Sequence, residues 1–325
     1  MAGIPNIRQS VLSRIWEELK HINYQQLNAK TAAAFSICLA GTREELATIR
    51  EWLSSMDYPL LNTWSGGDIL KARADHRRMD RRIREIVLAD EGVLATMPVG
   101  DAAMLRDALL CITTARRKQL LAPHCTRMFL YSDGDGSEIA HEILETLPEH
   151  RFALSYTFPV MRPGHARIEI RATAIQNASW ALFTAAPNLF PNPGQVFTVP
   201  AEAVSDFFVM TVNEIKMMFE LVALNGRRVQ PLQCVPELGI ILGLAKLAEM
   251  TATQLIGKAP VAGPAIKGGV AFAFTSAIGE ALLLYEIGGV QVGKDFIEQR
   301  AKAWFEEGKA VARSLLEKKG KKKGG

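Results

Sequence analysis

Phe35-Ser36-Ile37-Cys38-Leu39-Ala40-Gly41 is a short apolar run that passes directly into Thr42-Arg43-Glu44-Glu45-Leu46 and the helical spacing of residues 42–56. Such a run, closed by glycine and followed by a helix, predicts a buried strand that turns into a helix. Nucleotide-binding proteins carry their phosphate loop in this setting. That loop needs two glycines, a Lys for the terminal phosphates and a Ser or Thr for Mg²⁺. Here Gly41 and Thr42 are the only nucleotide-binding candidates, and the Lys is missing. Glu44 and Glu45 fall where the phosphates would lie and would repel them from a helix N-terminus that otherwise attracts anions. The expectation is a phosphate-loop-like scaffold without its chemistry.

Strand and helix alternate on either side of this corner. Residues 10–28 have helical spacing, with Val11, Ile15, Leu19 and Ile22 on one stripe. Pro59 and Ser65-Gly66-Gly67 mark a loop, and Asp68 can cap a helix from Ile69 to about Ile86. A second strand is expected near Gly92 to Val99, a helix from Ala102 to Leu121, and a third strand over Thr126 to Ser132. Ser137 can cap a helix that ends before Pro148. This alternation predicts an α/β domain over residues 1–149, with a small parallel sheet and a degenerate phosphate-loop-like corner.

From residue 150 the texture changes to apolar helical periodicity punctuated by prolines, which predicts an all-α domain over residues 150–316. Its main helices are Ala201 to Asn225, with Asn225-Gly226 as a left-handed cap, then Pro236 to Ile256, Ala265 to Gly288, and the amphipathic Phe296 to Leu316. Residues 317–325 form a polybasic tail expected to be disordered.

Composition is that of a globular protein, 48% hydrophobic and 22% charged over 325 residues. A net charge of +4 gives no global field for nucleic acid, so none is expected as a partner. Cys38, Cys111, Cys125 and Cys234 lack metal-type spacing and read as reduced core residues of a cytosolic protein. The N-terminus has no apolar core of signal-peptide type. No clean run of about 20 apolar residues spans a bilayer.

The helical half carries a resemblance. Its residues are Ala174-Ile175-Gln176-Asn177-Ala178, Ala186-Pro187, Ser205-Asp206, Thr211-Val212-Asn213-Glu214, Asn225-Gly226 and Pro236-Glu237-Leu238. They continue through Pro264-Ala265-Ile266-Lys267-Gly268-Gly269, Phe274-Thr275-Ser276-Ala277-Ile278-Gly279 and Tyr285. Residues 150–290 thereby resemble the helical domain of unknown function that follows the GTPase domain in some bacterial Era-like GTPases and occurs in certain bacterial inner-membrane proteins. GTPase members carry an intact phosphate loop, a DxxG switch and an NKxD motif. In this chain Gly41-Thr42-Arg43-Glu44 lacks the Lys, and neither DxxG nor NKxD is read where the second and third strands would supply them. The resemblance implies a pseudo-GTPase, a relative whose GTPase domain has decayed or been rebuilt.

Three further features are weighed for chemistry. Asp133 and Asp135, in Asp133-Gly134-Asp135-Gly136, are metal candidates, against the plainer reading of a strand-to-helix turn without EF-hand spacing. Arg73, Arg77 and Arg81, with Arg78 and Arg82 beside them, form basic rows that suit an anionic surface or a solvated helix face. Lys318, Lys319, Lys321, Lys322 and Lys323 add a second basic cluster suited to an anionic leaflet. The histidines are dispersed, and neither HExxH nor GxSxG occurs.

The sequence therefore predicts no catalytic residue and no cofactor. Its leading reading is a non-catalytic interaction protein, cytoplasmic and peripheral on the inner membrane, with a protein partner for which an intact GTPase is one candidate. The alternatives are an atypical nucleotide-binding switch and an oligomeric helical scaffold, with the oligomeric state left open.

Overall fold

Ile37, Cys38, Leu39 and Ala40 are at most 1% exposed, as expected of a strand covered on both faces. The computed structural model describes residues 17–56, 58, 60, 63, 75–88, 98–134, 136–185, 206–244 and 263–321. Strand β1 (Ile37–Gly41) lies between β2 (Ile83–Val87) and β3 (Leu110–Thr114), with β4 (Met128–Tyr131) beyond β3. All pairs are parallel, and the register sets Ile37 beside both Ile83 and Leu110, and Cys111 beside Met128. The sheet order is β2-β1-β3-β4.

Helices α1 (Tyr24–Ala32), α2 (Arg43–Ser54), α3 (His76–Arg82), α4 (Val99–Asp107), α5 (Lys118–Leu121), α6 (Gly136–Thr146) and α7 (Arg151–Thr157) accompany these strands. Helix α2 buries Leu46, Ile49, Trp52 and Leu53, and α6 buries Ile139, Ala140, Ile143 and Leu144. Both stripes follow the i, i+3, i+4 rule. One core gathers Cys38, Ala40, Ile86, Leu88, Leu105, Ala108, Cys111 and Leu121, with Cys125 packed against it. Three of the four free thiols thus meet, although nothing in their sequence spacing announces it. Hydrogen bonds with Cys125 and Cys38, and then burial, push the Cys111 thiol up, while its bond lowers Cys125. Gly136 begins α6 directly beneath Trp52: a Cβ there would lie 2.4 Å from the indole Nε1.

The remaining helices are α8 (Arg162–Ala185), α9 (Asp206–Leu224), α10 (residues 235–244), α11 (Pro264–Gly288) and α12 (Lys294–Lys321). Every residue from Gly268 to Leu284 of α11 is buried. Helix α12 packs against it so closely that backbones touch: a Cβ on Gly308 would lie 2.6 Å from the Gly269 carbonyl oxygen. Arg300 clamps Glu280 with both arms of its fork, at 2.6 and 2.8 Å, the bidentate geometry that favours Arg over Lys. Gly289 closes α11 in the left-handed conformation, φ 66°, which suits glycine.

Among the described residues, the chain divides into two compact units. One holds residues 25–167 and 222–228, and the other holds 17–24, 168–221 and 229–321. They are an α/β unit and a helical unit. The division falls within α8 and not at residues 149/150, because α7 and the start of α8 pack with the sheet unit.

Several expected elements are corrected. The helix expected to run to Ile86 stops at Arg82, and Ile83–Val87 is a strand. This edge strand buries only Ile83 and Ile86, and an i, i+3 pair imitates a helix. No strand is found at Val99, which instead starts α4, and residues 92–97 lie outside the described ones. The helix expected from Ala102 to Leu121 is interrupted by β3, whose continuous run Leu110-Cys111-Ile112 is that of a buried central strand. Among the described residues the sheet therefore has four strands where three were expected. The C-terminal helix extends through the expected tail as far as Lys321. Residues 201–205 and 245–256 of two expected helices, and the Pro59, Ser65–Gly67 and Asp68 signals, lie outside the described residues.

Candidate functional site

The chain leaves β1 for β2 on one side and then crosses to β3 on the other, so neighbouring connections diverge at the carboxyl ends of β1 and β3. In open parallel sheets this divergence creates the crevice where ligands bind. Here β1 ends in Gly41, followed by Thr42, and β3 ends in Thr114, followed by Arg116 and Arg117 in the next turn. The centre of the crevice is taken by Glu45. The Thr42 amide donates to Glu45 Oε2 at 2.8 Å, and the Thr42 hydroxyl accepts from the Glu45 amide at 3.2 Å. This reciprocal pair is a capping box. Thr114 Oγ1 donates to Glu45 Oε1 at 2.8 Å, and Arg117 Nε stands 3.7 Å from Oε2.

Both oxygens of the carboxylate are therefore engaged. Burial alone would raise the Glu45 carboxyl, but the Thr42 amide, the Thr114 hydroxyl and the Arg117 and Arg116 charges together hold it below the ordinary range. A carboxyl lowered in this way adds stability above its unfolded value, and that contribution is lost only as pH falls through the folded one. Gly41 completes the fit, since a Cβ there would meet Glu45 Oε2 at 2.9 Å. Glu44, the other carboxylate of the turn, is exposed. The structure thus turns one acid inward as an internal anion, where the sequence suggested two repelling charges.

The metal candidates are not brought together. Asp133 is exposed and accepts from the Tyr131 hydroxyl, which burial and this bond push up. Asp135 lies outside the described residues. Among the described residues no three His, Cys, Asp or Glu side chains form a metal-sized group. Asp133 and Gly136 have DxxG spacing, but they follow β4, which β3 separates from β1.

The basic rows split by face. Arg77 and Arg81 are exposed. Arg78 lies 3.9 Å over the Tyr156 ring, and Arg82 sits 4.8 Å over Phe35 and donates to its carbonyl at 3.1 Å. Of the acids in the same segment, Asp75 pairs with Arg78, while Asp80 binds Arg50 at 2.8 Å and Glu85 binds it too. Half of the row is thus structural. Arg73, Lys322 and Lys323 lie outside the described residues, Lys318 is exposed on α12, and Lys319 and Lys321 belong to the same helix.

A polar network in the helical unit went unnoticed in the sequence. Asn213 donates to Asn177 at 2.8 Å, Asn177 to Thr275 at 2.9 Å, and Thr275 to Glu214 at 3.1 Å. It joins α8, α9 and α11 through residues at most 5% exposed. All four are among the residues that carry the family resemblance. The available signal was Asn213-Glu214 inside a mostly apolar helix. Burial pushes the Glu214 carboxyl up to about 8, against the Thr275 bond.

Comparison with protein-family models, with curated proteins and with solved structures gives no match.

Proposed function

We propose that this chain is a non-catalytic interaction protein, a pseudo-GTPase related to the bacterial GTPases that carry the helical domain, acting at or near the cytoplasmic face of the membrane. The observation that carries the reading is Glu45. Its carboxylate takes the α2 N-terminus, the Thr114 hydroxyl and the Arg117 charge, the groups a phosphate would need. A corner that supplies its own anion has nothing left with which to grip a triphosphate. The degenerate phosphate loop is therefore a docking scaffold for a protein partner, for which an intact GTPase remains a candidate.

The membrane part rests on charge and on α11. That helix is long and apolar enough to cross a bilayer, yet 89% of its most apolar window is buried, which supports peripheral attachment over a span. Lys318, Lys319 and Lys321 lie in the C-terminal end of the amphipathic α12, and Lys322 and Lys323 come next in the sequence. Each would contribute about 1 kcal/mol near an anionic leaflet. Flotation with anionic vesicles is expected to carry the full chain upward, less so as salt rises. Removal of residues 318–325 should weaken binding by roughly 10²-fold or more. A full-length protein that stays in the soluble fraction with anionic and neutral vesicles alike would refute the membrane reading.

A further inference from the structure

Arg162, at the start of α8, is 5% exposed, yet no carboxylate pairs with it among the described residues. Its Nε donates to the Ser155 carbonyl at 3.1 Å. A guanidinium has five N–H donors in a rigid fork, and no acceptor among the described residues meets either Nη atom. The charge beside it has the same sign. Arg78 donates from Nη1 to the Tyr156 carbonyl at 2.9 Å, and its carboxylate neighbour is the half-exposed Asp75, at 3.4 Å from Nη2.

Both guanidiniums reach one turn. Gly226 follows α9 with φ 86°. A Cβ built on it would lie 3.1 Å from Arg162 Nη2 and 3.3 Å from Arg78 Nη1. The missing side chain is what admits the two cations together. Arg227 and Arg228 follow at once, and both are exposed. The last turn of α9 can offset part of this charge, but a helix end carries only about half an elementary charge, against two whole ones. Burial, and then Arg78, lower the Arg162 pKa to about 10, so the group remains a cation at neutral pH. An unpaired buried cation is costly, and guanidinium forks match oxyanions bidentately. The Arg78 side chain is 26% exposed, which leaves the pair open to solvent on that side.

We propose that Arg162 and Arg78, converging on the Gly226 turn, form a binding site for a phosphate-class oxyanion, the counter-charge that the buried guanidinium lacks among the described residues. The group is either free phosphate or the phosphate of a lipid head. The site lies in the α/β unit, uses none of the residues around Glu45, and does not depend on the fate of that corner.

Thermal unfolding of the full chain in inorganic phosphate, against chloride of equal ionic strength, tests it. Wild type should show a saturable rise of roughly 3 °C at ten times Kd. Arg162→Met should lose the rise while unfolding, without phosphate, at or above the wild-type midpoint. Arg117→Met, in the Glu45 corner, should keep the rise. Arg78→Gln, changed at a half-buried position, should weaken the response several-fold and serves if Arg162→Met does not fold. Flotation with phosphatidylglycerol against phosphatidylcholine vesicles separates the sources. Binding lost in Arg162→Met without any free-phosphate response assigns the site to a lipid head, and a free-phosphate response assigns it to the soluble ion. The proposal is overturned if wild type shows no saturable rise up to about 50 mM phosphate and the variants float as wild type does. It is equally overturned if Arg162→Met and Arg78→Gln both retain the full rise.

Discussion

Glu214→Gln is expected to make the protein more stable than wild type at pH 9 and to leave it nearly unchanged at pH 5. Burial raises the Glu214 carboxyl to about 8 from an ordinary 4.5, with the Thr275 hydroxyl bond as a partial offset. Between those values the folded state holds a proton that the unfolded state has released, so stability falls as pH rises through the window. The contribution is complete below about 4.5 and gone above about 8. A gap of this size corresponds to on the order of 5 kcal/mol. Glutamine keeps an oxygen for Thr275 and has no proton to lose, so it should flatten this part of the profile. Urea unfolding of both proteins at pH 5, 7 and 9 reads the difference directly. Parallel curves would mean that Glu214 is ionised in the fold throughout.

Gly308→Val should be the most damaging exchange on the surface that α11 and α12 share. The added Cβ meets the Gly269 carbonyl oxygen at 2.6 Å and Phe272 Cβ at 3.1 Å. Backbone cannot yield as a flexible side chain does, so the helices must separate. Overpacking of this kind costs roughly 3 kcal/mol. Gly308→Ala already carries the clashing atom, and should destabilise although alanine gains about 1 kcal/mol of helix propensity. Gly100→Ala in α4 is the contrast, since nothing among the described residues lies within 4 Å of a Cβ there. It should be neutral or stabilising by about 0.5 kcal/mol. Unfolding midpoints that move the same way in the two alanine variants would argue against backbone contact at Gly308.

The sequence disclosed those parts of the fold whose signal is local. Phe35–Gly41 reads as a strand because its apolar run is closed by glycine, and Ala265–Gly288 as a helix because it is long, apolar and capped. It concealed β2, because a short edge strand with two buried residues spaced i, i+3 is locally helical. It concealed β3 because six apolar or β-branched residues between helical patterns read equally well as either state. At the candidate corner, Gly41 and Thr42 were legible and the two acids were noticed. The role of Glu45 was not, since it depends on Thr114, 69 residues away. The Cys38, Cys111 and Cys125 cluster, the Asn177–Glu214 network and the Arg162 pair share that character. Each is assembled by tertiary packing from residues whose spacing says nothing.

The chain's own Glu45 carboxylate fills the crevice after β1. Thermal shift of the full-length protein with GTP, GDP and ATP, each with Mg²⁺, tests this most directly. Wild type should show no base-dependent or nucleoside-dependent stabilisation at micromolar concentration, and any effect should match that of inorganic phosphate and vanish in Arg162→Met. Saturable stabilisation by one of these nucleotides at micromolar concentration, retained in Arg162→Met and abolished by Arg117→Met, would show that Glu45 yields the corner and would contradict the account.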